Sequence, residues 1–196
     1  MPTVAVIPVK SFVDGKLRLS GAVDPSGRAG LGRALANHVA ESAESAGALP
    51  LIVTGDPEVA AWATGTGFPT LAEPNGGLDG AASAGSTWAR RSKSSWLILH
   101  ADLPLITKHE ISRLAAAVEA GHDVIAPSSD GGTSAIGSNR NFEFHYGTGS
   151  FHRHLARLEA PQVVSTLGLL HDVDSPADLA SAAAHPRGAW IKQVLG

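Results

Sequence analysis

The segment Leu49–Val59, LPLIVTGDPEV, decides the fold of this chain of 196 residues. Its apolar first half, Leu49–Thr54, has the length and composition of a buried strand. Asp56 and Pro57 follow, and an aspartate before a proline is a typical start of a helix: the carboxylate accepts a backbone N–H, and the proline has no N–H to leave unpaired. A buried strand that passes directly into a capped helix is part of a βαβ unit, so the segment predicts a parallel sheet.

The same alternation extends along the chain. Further apolar runs predict strands at Val4–Val9, Trp96–His100, Val124–Ala126 and Leu169–Val173, with weaker candidates at Thr70–Ala72 and Thr133–Ile136. Capping residues predict helices after Asp24-Pro25 and Ser175-Pro176, and after Thr107 with Glu110, where Gly121 ends the helix; two more are expected at Leu78–Arg91 and Ser150–Leu158. We therefore expect a single α/β domain over residues 1–196, with a mostly parallel twisted sheet flanked by helices.

The composition excludes several classes of protein. Hydrophobic residues make up 43% of the chain, which is enough for a packed core, and the formal net charge of −3 argues against nucleic acid or an anionic membrane as the main partner. The chain has no cysteine, which excludes disulfides, thiolate metal sites and cysteine nucleophiles. No run is long enough to span a bilayer, and the N-terminal segment reads as a strand instead of a signal peptide. We expect a cytoplasmic protein.

Ligands of such sheets bind beyond the carboxyl ends of the strands, and the loop after the first strand carries three cations. Lys10, Lys16 and Arg18 lie in this cationic loop, Lys10–Arg18, and could neutralise a triphosphate. The loop matches neither a Walker A motif nor a G-x-G-x-x-G fingerprint. The alternative is a solvated surface loop, and the sequence favours phosphate contact only slightly.

Acidic residues follow two of the predicted strands. Asp102 comes just after Trp96–His100, and Asp172 and Asp174 close the predicted strand Leu169–Val173. Carboxylates are the ligands that Mg²⁺ prefers, so these three residues predict a magnesium site. The alternative is that Asp174 and Ser175 only cap the following helix, and both interpretations can hold together.

Three glycine-bearing loops are candidates for anion or nucleotide binding. Gly76 and Gly77 lie at the start of the helix after Thr70–Ala72, and the other loops are Asp130–Ala135 and His145–Phe151. Plain turns and helix caps are the alternatives, and for Asp130–Ala135 a hairpin turn is at least as likely. In the helix that follows the last loop, His152 and His154 are two residues apart and diverge, so we interpret them as cationic or surface residues.

Taken together, these motifs resemble one family along nearly the whole chain. The motifs occur in this order: IPVK with GKLRL, DPEVA, EPNGGL, ADLPL, GGT, YGTGSFHRHL and DVDSPADL. This order is similar to that of the phosphoenolpyruvate and 2-phospho-L-lactate guanylyltransferases of coenzyme F-420 biosynthesis. The resemblance implies the Rossmann-like nucleotide-diphospho-sugar transferase fold of GT-A type.

The resemblance also implies a reaction and its residues. A small phospho-acid would take GMP from GTP and release pyrophosphate, with Lys16 and Asp102 as the catalytic residues. Within this family, the composition, rich in Ala, Gly and Arg and poor in Lys, favours phosphoenolpyruvate over 2-phospho-L-lactate as the acceptor. The nucleotide would contact Lys10, Lys16, Arg18, Gly76, Gly77 and Asp79, and the phospho-acid would contact Thr133, Gly147 and Ser150. Mg²⁺ would be held by Asp102, Asp172 and Asp174. Asp79 stands where the family usually has Asn.

Two other functions stay open at this point. One is another nucleotidyltransferase of the same fold, acting on 3-phosphoglycerate, a molybdopterin or a sugar phosphate, although the glycine-rich first loop of the molybdopterin and sugar enzymes is absent here. The other is a nucleotide-binding module without catalysis, which the three carboxylates disfavour. The sequence leaves the oligomeric state open between a monomer and a homodimer.

Overall fold

A seven-stranded sheet runs through the molecule. The computed structural model describes residues 2–13 and 16–196, so that Met1, and Asp14 and Gly15 of the cationic loop, lie outside the described residues. The strands are β1 (Val4–Pro8), β2 (Leu49–Thr54), β3 (Thr70–Ala72), β4 (Trp96–Leu99), β5 (Val124–Pro127), β6 (Thr133–Ser138) and β7 (Gln162–Val163).

The strand order is β3-β2-β1-β4-β6-β5-β7. β1 pairs in parallel with β2 and β4, and β2–β3 and β5–β7 are also parallel. β6 runs antiparallel to both of its neighbours, β4 and β5. The predicted mostly parallel sheet is confirmed, and the reversal of β6 brings the start of that strand to the edge where β4 ends.

The helices begin where their capping residues predict. The α-helices are α1 (Pro25–Ser45), α2 (Pro57–Thr66), α3 (Gly77–Arg91), α4 (Lys108–Glu119), α5 (Ser150–Leu155), α6 (Leu167–Leu170), α7 (Pro176–Ala184) and α8 (Ile191–Leu195). Asp24 accepts a hydrogen bond from the N–H of Gly27, and Asp56 accepts from Glu58 and Val59. Thr107 and Glu110 form the predicted capping box of α4. No helix among the described residues combines the length and the apolar character that crossing a bilayer would require.

One predicted strand is wrong. Leu169–Val173 is not extended: its first residues belong to the short helix α6, and β7 at Gln162–Val163 is the edge strand on this side. A short apolar run does not distinguish a buried helix from a buried strand, because both bury every side chain. The predicted helix Ser150–Leu158 also ends earlier, at Leu155.

The core has two layers, one on each face of the sheet. Alternate residues of β1 divide between them: Ala5 and Ile7 pack with α1 and α4, whereas Val4 and Val6 pack with α3. Helices on both faces leave the carboxyl-terminal edge of the sheet as the open place for a ligand.

A candidate nucleotidyl-transfer site

A cavity of about 510 Å³ lies beyond the ends of β1 and β4 and beside the start of β6. Nine of the predicted site residues line it: Lys10, Lys16, Arg18, Asp102, Thr133, Gly147, Ser150, Asp172 and Asp174. They come from five separate segments of the sequence, and the fold brings them together at one edge of the sheet.

Lys16 holds the acidic side of the cavity together. Its Nζ donates to Asp102 Oδ2 at 2.6 Å and to the backbone carbonyl of Val173 at 2.6 Å, and it lies 3.5 Å from Asp174 Oδ1. The side chain of Lys16 is only 12% exposed. The cationic loop is therefore anchored to the two acidic segments by a buried ammonium group.

The ion pair sets the charge states of both partners. Burial is the largest single effect on Lys16 and would lower its pKa, but the carboxylates of Asp102 and Asp174 together raise it. Burial likewise opposes ionisation of Asp102, and Lys16 together with His100 and hydrogen bonds lowers the pKa of that carboxyl. Both groups are charged at neutral pH.

The third carboxylate has a different environment. Burial raises the pKa of Asp172, and the neighbouring Asp102 adds to the effect because like charges repel. The Ser129 hydroxyl donates to Asp172 Oδ1 at 3.3 Å. A cation beside Asp172 would stabilise its ionised carboxylate and so oppose the effects of burial and of Asp102 on its pKa.

The carboxylates line one cavity without forming a ready-made metal cage. In the part of the chain that the structure describes, no three histidine, aspartate or glutamate side chains come close enough together to hold a metal ion. Asp102 Oδ1 is buried and has no hydrogen-bond partner among these residues. An ionised carboxylate oxygen that is buried and unpaired fits a cation ligand.

The two other cations of the loop are accessible. Lys10 is exposed, and the side chain of Arg18 is 79% exposed with its guanidinium 3.6 Å from Asp174 Oδ2. Both line the cavity, so a polyphosphate at this edge would meet them from the solvent side.

The glycine-rich start of α3 lies next to the cavity. Leu78 lines it, whereas Gly76, Gly77 and Asp79 are not among the lining residues. Asp79 Oδ1 accepts the backbone N–H of Tyr146 at 2.7 Å, which ties α3 to the loop before α5. In this structure Asp79 has a structural contact, and its predicted contact with the nucleotide stays a prediction.

Gly76 leaves little room for a side chain. A Cβ at this position would lie 3.0 Å from Gly80 Cα and 3.2 Å from the Pro74 carbonyl. Gly77 has a φ of 60°, in the left-handed region that favours glycine. The paired glycines thus permit a tight entry into α3.

Another part of the cavity lining carries hydroxyls. We call Thr133, Gly147 and Ser150 the hydroxyl wall. Thr133 and Ser150 are buried, and their hydroxyl oxygens are 3.1 Å apart. Gly147 has a φ of 103°, and its carbonyl accepts the N–H of Ser150 at 2.9 Å.

An arginine keeps the loop of the hydroxyl wall in place. The Arg153 guanidinium donates to the carbonyl oxygens of His145, Tyr146 and Thr148, at distances from 2.6 to 3.2 Å. These hydrogen bonds fix the backbone of the loop that carries Gly147.

Sequence reasoning misjudged one residue of this region. His154 was expected to be cationic or at the surface, but its side chain is fully buried, and burial lowers its pKa to about 4. His152 is exposed, as predicted. The signal was present in the spacing: His154 lies four residues after Ser150 and so shares its helix face.

Two aromatic residues of the site were also missed. His100 and Tyr146 line the cavity with ring centroids 5.5 Å apart. His100 Nε2 and the Tyr146 hydroxyl are buried and lack a hydrogen-bond partner in residues 2–13 and 16–196. Both are polar atoms at the cavity that a ligand could satisfy.

The fold defines a class of protein. The chain superposes on a crystal structure described as a nucleotide-diphospho-sugar transferase from Desulfovibrio desulfuricans G20, with a TM-score of 0.77 and 17% identity over 97% of this chain and 94% of that one. A nucleotidyl transferase from Methanothermobacter thermautotrophicus matches with a TM-score of 0.60 and 13% identity, over 98% of this chain and 99% of that one. The expected nucleotide-diphospho-sugar transferase fold is confirmed.

The family follows from the sequence comparison. Residues 3–195 match the model of the family described as guanylyl transferase CofC like, and the chain belongs to this family. Phosphoenolpyruvate guanylyltransferase of Sphaerobacter thermophilus is 36% identical over 96% of this chain and 97% of its own. The 2-phospho-L-lactate guanylyltransferase of Methanothermobacter thermautotrophicus is 28% identical over 100% of this chain and 90% of its own.

Proposed function

We propose that this protein transfers GMP from GTP to the phosphate of phosphoenolpyruvate, a step of coenzyme F-420 biosynthesis. An oxygen of the acceptor phosphate attacks the α-phosphorus of GTP, the bond to the bridging oxygen toward the β-phosphorus breaks, and pyrophosphate leaves. One observation carries the proposal: a single cavity is lined by the cationic loop, by aspartates and by the uncharged hydroxyl wall.

The residues divide between the two substrates by their chemistry. Lys10, Lys16 and Arg18 neutralise the triphosphate, which carries most of the negative charge in the reaction. Thr133 and Ser150 offer hydrogen bonds to the smaller acid without adding charge. The acceptor phosphate is already ionised, so the site needs positioning and neutralisation more than a strong base.

A divalent cation fits the acidic side. Mg²⁺ commonly binds to one or two carboxylates together with substrate phosphates, so a preformed cage of three is not required. The unpaired Asp102 Oδ1 and the carboxylates of Asp172 and Asp174 would hold it. When bound, it would neutralise charge on the phosphates during transfer.

The choice of phosphoenolpyruvate rests on the relatives. The bacterial enzymes of Sphaerobacter thermophilus and Streptosporangium roseum, both named for this acceptor, are 36% and 34% identical to the chain. The archaeal relative named for 2-phospho-L-lactate is 28% identical. We therefore place phosphoenolpyruvate before 2-phospho-L-lactate.

Pyrophosphate release tests the proposal. Purified protein with Mg²⁺ and GTP is mixed with phosphoenolpyruvate, 2-phospho-L-lactate or 3-phosphoglycerate, and matched reactions contain ATP, CTP or no acid. We expect release that requires both GTP and an acid, with phosphoenolpyruvate the best acceptor. Release without any acid, or equal release with every nucleotide, would contradict a guanylyl transfer to a phospho-acid.

A further inference from the structure

A series of buried hydrogen bonds lies behind the hydroxyl wall. The backbone N–H of His145 is 2.9 Å from His154 Nε2, and His154 Nδ1 is 3.0 Å from Thr133 Oγ1. Thr133 Oγ1 is in turn 3.1 Å from Ser150 Oγ. These groups connect a backbone donor to the hydroxyl of Ser150 at the cavity.

The hydrogen bond from the His145 N–H determines which atoms donate and which accept in this series. A backbone N–H can only donate, so His154 Nε2 accepts and carries no proton. The neutral ring then bears its proton on Nδ1, which donates to Thr133 Oγ1. Because Thr133 Oγ1 accepts from the ring, we assign the donor role between the two hydroxyls to Thr133, which then donates to Ser150 Oγ. The Ser150 hydrogen has no other acceptor among the described residues and remains for the cavity.

The ring cannot easily turn to reverse this order. Three aromatic rings surround His154, with centroids 5.5 Å away for Phe142, 6.3 Å for Phe144 and 4.9 Å for Tyr146, all at steep angles to the imidazole. Such edge-to-face packing holds one orientation of a buried ring. Burial also keeps it neutral at physiological pH, since its pKa is lowered to about 4.

We propose that His154 is a positioning residue that acts through Thr133 to make the Ser150 hydroxyl a hydrogen-bond donor toward the phospho-acid. Carboxylate and phosphate oxygens can only accept, so a hydroxyl that presents its lone pairs would repel them. His154 itself does not contact the substrate. The inference rests on the proposed function, because it concerns how the same site binds its acceptor.

The tautomer of the ring provides a test that does not depend on turnover. Wild-type protein with nitrogen-15-labelled histidine is studied at pH 7 by two-bond proton–nitrogen correlation, and the His154 signals are assigned by their loss in His154→Asn. We expect a neutral ring with its proton on Nδ1. A proton on Nε2, or a doubly protonated ring, would overturn the proposal.

Two substitutions of similar size test the donor itself. His154→Leu removes every polar atom, whereas His154→Asn keeps an N–H that can reach Thr133. We expect His154→Leu to raise the KM for phosphoenolpyruvate about tenfold, the scale of one hydrogen bond to an ionised group, with the KM for GTP nearly unchanged. His154→Asn should recover most of the loss, and His152→Leu, on the exposed face of the same helix, should behave as wild type.

If His154→Leu and His154→Asn raise the KM for phosphoenolpyruvate equally, His154 does not act through a hydrogen bond to Thr133 and is only a packing residue. A KM for phosphoenolpyruvate that His154→Leu leaves unchanged would also overturn the proposal. Melting curves of the variants separate lost folding from lost binding, since a fall in stability changes the active fraction and not the KM.

A double substitution tests the path through Ser150. If His154 acts by orienting the Ser150 hydroxyl, His154→Leu adds little to the acceptor KM once Ser150→Ala is present. If the effects of the two substitutions on the acceptor KM add, His154 does not act through the Ser150 hydroxyl. Failure of the proposed function gives a different result, because the wild type would then release no pyrophosphate with any phospho-acid. The tautomer of His154 would in that case still show whether its ring donates to Thr133.

Discussion

Lys16 connects the cationic loop to the acidic segments of the site. Its backbone has a φ of 58°, an uncommon value for a residue other than glycine. The ammonium contacts oxygen atoms of Asp102, Val173 and Asp174, and these bonds offset the local strain. Because the acidic segments are held by this cation, the cationic loop and the carboxylates take up their positions together.

The first prediction concerns Asp102. Asp102→Asn keeps the shape of the side chain but removes the charge that pairs with Lys16 and faces the cavity. We expect pyrophosphate release to fall about 100-fold or more, the scale of losing one transition-state charge contact, while the variant stays folded with a lower melting temperature because Lys16 loses the charge that it pairs with. The matched control is Glu58→Gln, which removes an exposed ion pair with Arg33. Near wild-type release by Asp102→Asn at saturating Mg²⁺ would contradict the assignment.

At the scale of elements, α3 lies unusually close to β1. A Cβ built on Gly85 would be 2.2 Å from Val6 Cγ1, and real Cβ atoms do not approach that closely. The helix can pack at this distance because Gly85 has no side chain, and the start of α3 is thereby held beside the cavity.

A second prediction follows for the packing of α3. Gly85→Ala should lower the free energy of unfolding by roughly 1–3 kcal/mol, because overpacking forces the helix or Val6 to move. Gly30→Ala is the matched control: nothing lies within 4 Å of its Cβ position in α1, so alanine should be neutral or stabilising. Urea titration of both variants measures the difference. Equal stability of the two would contradict the close approach.

The elements that local signals define were predictable, and those that distant packing defines were not. Asp24, Asp56 and Thr107 cap their helices within three residues, so the sequence alone shows where these helices start. The turn with Asp130 and two glycines is a local signal of a hairpin, but the residues of β6 are buried like those of a parallel strand, so the reversal was not predicted. The helical turn at Leu167–Leu170 is equally hidden in an apolar run.

The features of the site also divide into those that local sequence signals predict and those that depend on distant packing. Asp102 could be found because it follows β4, whereas Asp172 and Asp174 were assigned from a strand that the structure does not contain; Asp102 and Lys16 both line the cavity. Their direct ion pair could not be found, since it joins positions far apart in the chain. His154 was misread because only its spacing to His152 was considered, whereas its spacing to Ser150 indicates the buried face of the helix; its aromatic neighbours could not be predicted from spacing.

For the whole molecule, we predict a pH dependence of stability that comes from His154. Its folded-state pKa, about 4, is below the ordinary value of 6.5, so the unfolded chain takes up this proton first as the pH falls. The groups that face the ring are Asp79, which favours the charged form, and Arg153, His145 and Arg157, which oppose it. The stability that the neutral ring contributes is therefore present above pH 6.5 and declines toward pH 4.

Melting temperatures of wild type and His154→Asn between pH 7.5 and 4.5 isolate this contribution, because the other titrating groups are shared. We expect the wild type to lose its advantage over the variant as the pH falls. A difference that stays constant over this range would show that the ring is not held neutral in the folded protein.

The reversal of β6 also has an evolutionary consequence. The strand is reached through a hairpin, Ser128–Gly132, which the N–H of Ser128 closes onto the carbonyl of Gly132 at 3.0 Å. Surface turns of this kind accept insertions without shifting the strands that they join. A lineage can therefore lengthen this turn and reshape the hydroxyl wall while Lys16 and Asp102 keep their spacing. Descendants with different acceptors could thus diverge by changes in one short segment.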